Sequence, residues 1–278
     1  MRLGEALAEA LPHGPADVRE TIETGWDSVV LFVGDDLVLR VARNERVAQC
    51  YAAEDRLLRE LDLPLATPSP LGIGDGWILT RRIPGRAYDG GVDAEPLGRF
   101  LAALHAFPVS RARELGVPEH DLAADVAHFR ERVLPLLDPN ERAAGEQLLE
   151  EALAAPFEPA LAHGDLGPEH VLVDDVQITG VIDWTDARIG DPALDLAWPL
   201  NSHAPWVASP PSLAAPGVER GYPVDERLRR RALLYHALGP WHEVVYGLEH
   251  EHRWVVSGLA GVRERLQKVT GAPDTMAR

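Results

Sequence analysis

The stretch His163-Gly164-Asp165-Leu166-Gly167-Pro168-Glu169-His170-Val171-Leu172-Val173-Asp174, followed after a turn by Gly180-Val181-Ile182-Asp183-Trp184, decides how this chain is read. Residues 171–173 and 178–182 are apolar runs that form two short strands turning around Asp174-Asp175. Asp165 then lies on the loop entering the first strand and Asp183 at the exit of the second. Two carboxylates 18 positions apart therefore meet at one end of a hairpin. Phosphoryl transfer needs such a pair. One carboxylate orients an attacking hydroxyl and takes its proton, while the other holds a divalent ion that offsets the phosphoryl charge.

Outward from this segment the texture differs on the two sides. Residues 1–20 begin as a helix and are broken by Pro12 and Gly14. Residues 29–33 and 37–41 are β-branched runs around the turn Gly34-Asp35-Asp36, a hairpin signature. Residues 45–61 carry Val47, Tyr51, Glu54, Leu57, Leu58 and Leu61 at helical spacing, and residues 76–80 form a further strand closed by Pro84-Gly85. Beyond Gly85 the pattern is helical, with segments at 97–107, 121–137, 140–154, 225–238 and 241–269, and a proline-rich loop from Pro199 to Pro223. A β-rich first third joined to a helical remainder implies an α+β chain of two lobes, 1–84 and 85–278, with the ligand site in the cleft between them.

Composition narrows the chemistry. The 278 residues are 46% hydrophobic and 26% charged, and no apolar run approaches the ~20 residues of a membrane helix. Met1 to Ala6 place an acid where a signal peptide carries its basic flank, and the single Cys50 allows no internal disulfide, so a cytoplasmic location is expected. With 27 basic against 44 acidic residues the formal charge is -17, which disfavours nucleic acid and anionic membranes and suits a cationic partner. Lys268 is the sole lysine, so a P-loop is absent and arginine must supply any phosphate-binding cation.

The segment 163–184 resembles the His-Gly-Asp catalytic loop and Ile-Asp-Trp metal motif of the aminoglycoside phosphotransferase family, a branch of the protein-kinase-like fold. Gly190-Asp191-Pro192-Ala193-Leu194-Asp195-Leu196-Ala197 is similar to that family's Gly-Asp-Pro-x-x-Asp-Leu-Ala. Gly25-Trp26-Asp27-Ser28 and residues 37–41 look like its nucleotide-loop and phosphate-strand segments, and residues 100–105 like its first C-lobe helix. The ordered likeness spans residues 21–200 and implies a small nucleotide-binding N-lobe and a larger helical C-lobe carrying the catalytic loop, metal site and acceptor helices.

The resemblance implies a role for each matching residue. Asp165 is the catalytic base, or the group that positions the acceptor hydroxyl. Asp183 binds magnesium, His163 braces the loop, and Asp195 supports its backbone. Val38 and Arg40 share one face of their strand, so Val38 contacts the purine while Arg40 reaches the phosphates with Glu54 as its acidic partner. The alternative is that Arg40 is an exposed strand arginine and Arg43, or no side chain, contacts phosphate. Ser28 belongs to the nucleotide loop, and Thr80-Arg81-Arg82-Ile83 to the lobe connection whose backbone bonds the purine. One position departs from the pattern. Where the family usually has asparagine as a second metal ligand this chain has His170, and direct ligation, ligation through water, or a metal held by Asp183 alone are all open.

His105 reads as a packed core histidine, and His242, His250 and His252 with their neighbouring glutamates as a solvated helix end rather than a metal site. The acceptor is expected against the C-terminal helices, with Asp191, Trp198, Glu219 and Glu243 as candidate contacts among the acids and aromatics there, Trp206 included. The resemblance implies an ATP- or GTP-dependent kinase of an antibiotic hydroxyl, most simply of an aminoglycoside. A macrolide or cyclic basic peptide kinase, a small-metabolite kinase and a nucleotide-binding pseudokinase are the alternatives.

Overall fold

The computed structural model describes residues 3–12, 17–23, 25–201, 215 and 217–270. Trp206 and Pro205, Pro210, Pro211 and Pro216 of the proline-rich loop lie outside the described residues.

The first part of the chain orders as α1 (Leu3–Ala10), β1 (Val18–Ile22), β2 (Ser28–Val33), β3 (Leu37–Ala42), α2 (Glu45–Glu60), β4 (Pro70–Gly74) and β5 (Trp77–Arg81). The strands form one antiparallel sheet in the order β1-β2-β3-β5-β4. The alternation along β3 divides its side chains. Leu39 and Val41 join Leu31, Val33, Trp77 and Leu79 in a core capped by Ala6 of α1. Arg40 points to the opposite face, beside Ile78 in register and near Tyr51 of α2. Asn44 caps α2 by accepting from the Val47 amide, which fixes the angle at which Glu54 approaches the sheet. β1 and β4 were not expected. The sequence of β1, Val-Arg-Glu-Thr-Ile, is exposed along most of its length, and β4 carries Pro70, Gly72 and Gly74.

The second part comprises β6 (Arg86–Ala87), α3 (Glu95–His105), α4 (Val109–Glu114), α5 (Leu122–Arg132), α6 (Pro139–Ala154), β7 (Ala160–Ala162), β8 (Val171–Val173), β9 (Ile178–Val181), β10 (Arg188–Gly190), α7 (Ala193–Leu200), α8 (Val218–Gly221), α9 (Glu226–Glu249) and α10 (His252–Thr270). The expected hairpin is β8-β9, and β6 joins its free edge. β10 pairs with β7, setting Arg188 opposite Ala162. The chain just before the catalytic loop is therefore tied to the chain just after Asp183, and both loops emerge between two small ladders. The expected helix 121–137 ends at Arg132, because Pro135 turns residues 134–136 into a 3-10 turn.

A break at Gly239-Pro240 was expected and is not observed, since α9 runs through Pro240 to Glu249. Proline has no amide to donate to the carbonyl four residues back, which leaves the His236 carbonyl without its helical partner. Arg265 of α10, 1% exposed, donates its Nη1 to that oxygen. The helix continues because its neighbour supplies the missing donor. Arg265→Met is expected to destabilise the protein by about 1–3 kcal/mol in denaturant unfolding. Pro240→Ala, which restores the amide, should recover a large part of that loss in the double variant.

Candidate active site

Asp165 and Asp183 face one cleft with His170 between them. His170 Nδ1 donates to the Asp165 backbone carbonyl at 2.7 Å and lies 3.7 Å from the Asp165 carboxylate, while Nε2 lies 3.6 Å from Asp183 Oδ2. The 3-10 turn at Pro168–His170 carries the imidazole back over the loop. Withdrawal from bulk water pushes the Asp165 carboxyl up to about 6, opposed by His170 and reinforced by Asp186, Asp183 and Glu169. Burial would lower His170, but Asp165, Asp183 and Glu169 outweigh it and raise the imidazole to about 9. Burial would likewise raise Asp183, yet His170 and Arg40 hold its carboxyl below the usual range.

The backbone beneath this pair is closely constrained. Gly164 has φ 87°, and a Cβ there would stand 2.1 Å from the Asp186 carbonyl, so the loop requires glycine. Asp183 itself has φ 66°, a left-handed conformation that aspartate tolerates better than most side chains. The Asp195 carboxylate, fully buried at the start of α7, accepts from the amides of His163 at 2.7 Å and Gly164 at 2.9 Å and from His105 Nε2 at 3.1 Å. Burial favours its neutral form, but these donors overcome it and hold the carboxyl below its usual 3.8. His163 donates Nε2 to the Ile182 carbonyl at 3.0 Å and packs edge-on to Trp184, which links the catalytic loop to the residue before Asp183. Burial lowers its imidazole, so it acts as a neutral brace.

Across the cleft Arg40 donates Nη2 to Glu54 and Nη1 to both Asp183 Oδ1 at 3.0 Å and Thr185 Oγ1 at 2.9 Å. Glu54 is buried, and desolvation raises its carboxyl despite the arginine. Asp183 thus presents Oδ1 to Arg40 and Oδ2 to His170. Val38 shares Arg40's face of β3, as its spacing requires. Ser28 is set differently from expectation: its buried hydroxyl lies 2.7 Å from the Tyr51 hydroxyl, and the Tyr51 ring lies under Arg40. Trp26 stacks on Tyr246 at 3.9 Å with Trp254 edge-on, which brings the loop before β2 against α9 and α10.

Within the lobe connection, the Arg81 amide bonds the Ser69 carbonyl and the Arg82 amide the Asp36 carbonyl. These two donors are committed to the fold and do not face a ligand. Thr80 is buried, and among the described residues the Ile83 amide has no hydrogen-bond partner.

Most of the expected acceptor contacts are corrected. Asp191 is 1% exposed, bonding the Ala193 amide and Arg231 as the anchor of α7. Trp198 is interior and meets Tyr88 edge-on, and Glu243 is turned inward to Ser257. Glu219 is exposed on α8 and paired with Arg229. His105 is packed as its spacing predicts, its side chain 6% exposed, and it also links Asp195 to the Tyr222 hydroxyl at 2.8 Å. Trp241 and Val244 are buried, so α9 is not a solvated end there, while His242 and His250 are exposed. Thr185 and Asp186 were not singled out by sequence. The only signal available was a hydroxyl and a third acid placed just after Asp183.

For a divalent cation, Nδ1–H is committed to the Asp165 carbonyl, so Nε2 opposite Asp183 Oδ2 is the nitrogen left to ligate, and it would do so by giving up the proton that a value of about 9 otherwise keeps on it at neutral pH. Among the described residues no cluster of three or more metal-ligating side chains forms. That fits a metal which takes one or two protein groups and completes its shell with phosphate oxygens and water.

The chain has a two-lobed, protein-kinase-like architecture, a small antiparallel sheet followed by a mainly helical part, of the kind found in phosphotransferases. The profile of a phosphotransferase enzyme family matches residues 18–233, and the chain belongs to that family. It is 30% identical over 194 residues to viomycin phosphotransferase of Streptomyces vinaceus, covering 60% of this chain and 68% of that one. A solved GDP and kanamycin complex of APH(2")-IIia superposes with a TM-score of 0.79 at 24% identity, covering 95% and 98% of the two chains. Macrolide 2'-phosphotransferase from Brachybacterium faecium superposes with a TM-score of 0.68 at 27% identity, covering 97% and 99%. No helix among the described residues is long and apolar enough to cross a membrane.

The depressed Asp195 carboxyl yields a signed expectation. Its stabilisation is full above the ordinary carboxylate range and is lost as pH falls through the lower folded value. Asp195→Asn should lose about 1–3 kcal/mol at neutral pH, and urea titrations should show the gap from the parent protein closing as the pH falls below the ordinary carboxylate range.

Proposed function

We propose that this chain transfers the γ-phosphoryl group of ATP or GTP to a hydroxyl of a cationic small-molecule antibiotic of the aminoglycoside or viomycin kind. The observation that carries this reading is the pairing of Asp165 and Asp183 around His170, with Arg40 on the remaining oxygen of Asp183. The acceptor oxygen attacks the γ-phosphorus, the bond to the bridging oxygen breaks, the nucleoside diphosphate leaves, and the acceptor proton passes to Asp165. Arg40, held by Glu54, would face the phosphates. Asp183 Oδ2 and His170 Nε2 would hold magnesium, which neutralises charge on the phosphates when bound. The Ile83 amide and the carbonyls of residues 80–83 would read the purine edge.

Asp186 and Asp27 support a cationic acceptor. Asp186 acts electrostatically on both Asp165 and Asp27, and Asp27 also feels Asp183, while each of the two is paired with an arginine, Asp27 with Arg46 at 2.9 Å and Asp186 with Arg188 at 2.8 Å. Asp191, Trp198 and Glu243 supply none of this field, because they are interior. The kanamycin-bound neighbour and the viomycin phosphotransferase relative give the same direction.

With ATP or GTP and magnesium, a panel of kanamycin, viomycin, a macrolide, an amino alcohol and a simple sugar should show turnover on the cationic antibiotics. Turnover on the last two alone would favour the metabolite reading, and nucleotide binding without any turnover the pseudokinase. Asp165→Asn should lower kcat by about a hundred- to ten-thousand-fold with nucleotide affinity kept. Because the base must be ionised, kcat/KM in the parent enzyme should fall as pH drops below about 6.

A further inference from the structure

Thr185 sits two residues beyond Asp183, 7% exposed, at the junction of the three charged groups in the cleft. Its hydroxyl oxygen accepts from Arg40 Nη1 at 2.9 Å. Its single proton has two carboxylates in reach, Glu54 Oε2 at 3.3 Å and Asp183 Oδ1 at 3.4 Å. Glu54 Oε1 is already taken by Arg40 Nη2. The hydroxyl therefore completes a four-membered arrangement in which each oxygen facing Arg40 has a donor and each arm of the guanidinium has an acceptor.

We infer that Thr185 is a positioning residue for the metal–nucleotide site, dividing the Arg40 fork so that Asp183 turns only Oδ1 to the arginine and keeps Oδ2, the oxygen facing His170, for a cation. The inference rests on the functional reading above and extends it to a residue to which neither the sequence motifs nor the comparisons give a role.

Three physical arguments support the inference. A guanidinium offers donors in a rigid planar fork, and Arg40 uses both ends, so the acceptor on its second arm sets how much of that arm falls to Asp183. A buried charged donor that loses an acceptor seeks another. With the hydroxyl replaced by a methyl, the acceptor remaining to Nη1 is Asp183, and a tighter Arg40–Asp183 pair competes with a cation for the same carboxylate. The Thr185 hydroxyl lies 3.4 Å from Asp183 Oδ1, two residues away in sequence, so its loss acts directly on that carboxylate.

The test is calorimetric titration of ADP and of GDP into the protein, with and without magnesium, for the parent chain and for Thr185→Val, Thr185→Ala and Thr185→Ser. Valine and alanine should weaken magnesium-dependent nucleotide affinity about tenfold, as expected for one hydrogen bond to a charged group, while metal-free affinity stays within about twofold. Serine should restore the parent value. On an Arg40→Lys background the valine effect should shrink to less than about twofold, since lysine has no second arm to divide. Unchanged magnesium dependence in both truncated variants, or equal loss with serine, would overturn the assignment to Thr185. If valine fails to fold, as judged by near-UV circular dichroism, alanine and serine still decide the matter. A parent chain that binds neither nucleotide with magnesium would instead refute the functional reading, and this inference with it.

Discussion

A guanidinium taken out of water must be surrounded by acceptors or it costs several kcal/mol. Arg40 is 9% exposed on β3, in a chain with no lysine nearby to share its task. Its acceptors come from far apart in sequence, Glu54 on α2 and the pair Asp183 and Thr185 beyond β9. Satisfying one side chain therefore fixes three separate elements. The sheet face that carries Arg40 must turn toward α2, α2 must present Glu54 inward among Leu57 and Leu58, and the loop after β9 must bring Asp183 up to the first lobe. Burial alone would disfavour the charged guanidinium, while Glu54 and Asp183 more than offset that cost.

The other half of the site is built on a buried anion. Asp195 is fully enclosed and keeps its charge by collecting the two amides at the start of the catalytic loop and the His105 imidazole. Gly164 makes this geometry accessible because its backbone is left-handed and the Asp186 carbonyl crosses where a side chain would stand. His163 then joins the loop to Ile182, and the β7-β10 ladder closes the outside. Asp165 and Asp183 are thus positioned by separate networks, one through Asp195 and one through Arg40, which meet at His170.

Much of this was legible because it is written in local order. The hairpin at 171–181, the helix carrying Glu54 and the strand carrying Arg40 follow from periodicity and turn chemistry around Asp174 and Gly34, while the roles expected of Asp165, Asp183 and Asp195 come from the family resemblance of their motifs. What was missed depends on partners distant in sequence. β1 and β4 have no apolar alternation of their own and exist as strands because β2 and β5 offer edges to pair with. Pro240 reads as a helix stop, and nothing near it announces that Arg265 will supply a donor from another helix. Asp191, Trp198 and Glu243 look like surface recognition groups by residue type, yet burial is a property of packing that composition does not record. His105 is the opposite case: its helix spacing showed that it was interior, but not that an interior histidine would bond Asp195.

The burial of Asp191, Trp198 and Glu243 decides which charges are left to act at the cleft. With the acids of α7 and α9 spent inside the protein, the negative groups at the cleft are Asp165, Asp183 and Glu169, together with Asp186 and Asp27, which are already paired with Arg188 at 2.8 Å and Arg46 at 2.9 Å, and all are opposed by Arg40 and His170. Such a field repels a bare nucleoside triphosphate and attracts a cation. On the proposed function, the same side chains would favour a nucleotide arriving with its metal and a cationic acceptor, and charge selection for both would be concentrated around Asp183 rather than spread over the helical lobe. The overall excess of acid, 44 against 27, contributes to the approach of a cationic molecule, but it is screened within about 10 Å at ordinary salt. At short range the loop before β2 carries both Trp26 and Asp27, and the stack of Trp26 on Tyr246 holds that loop against α9.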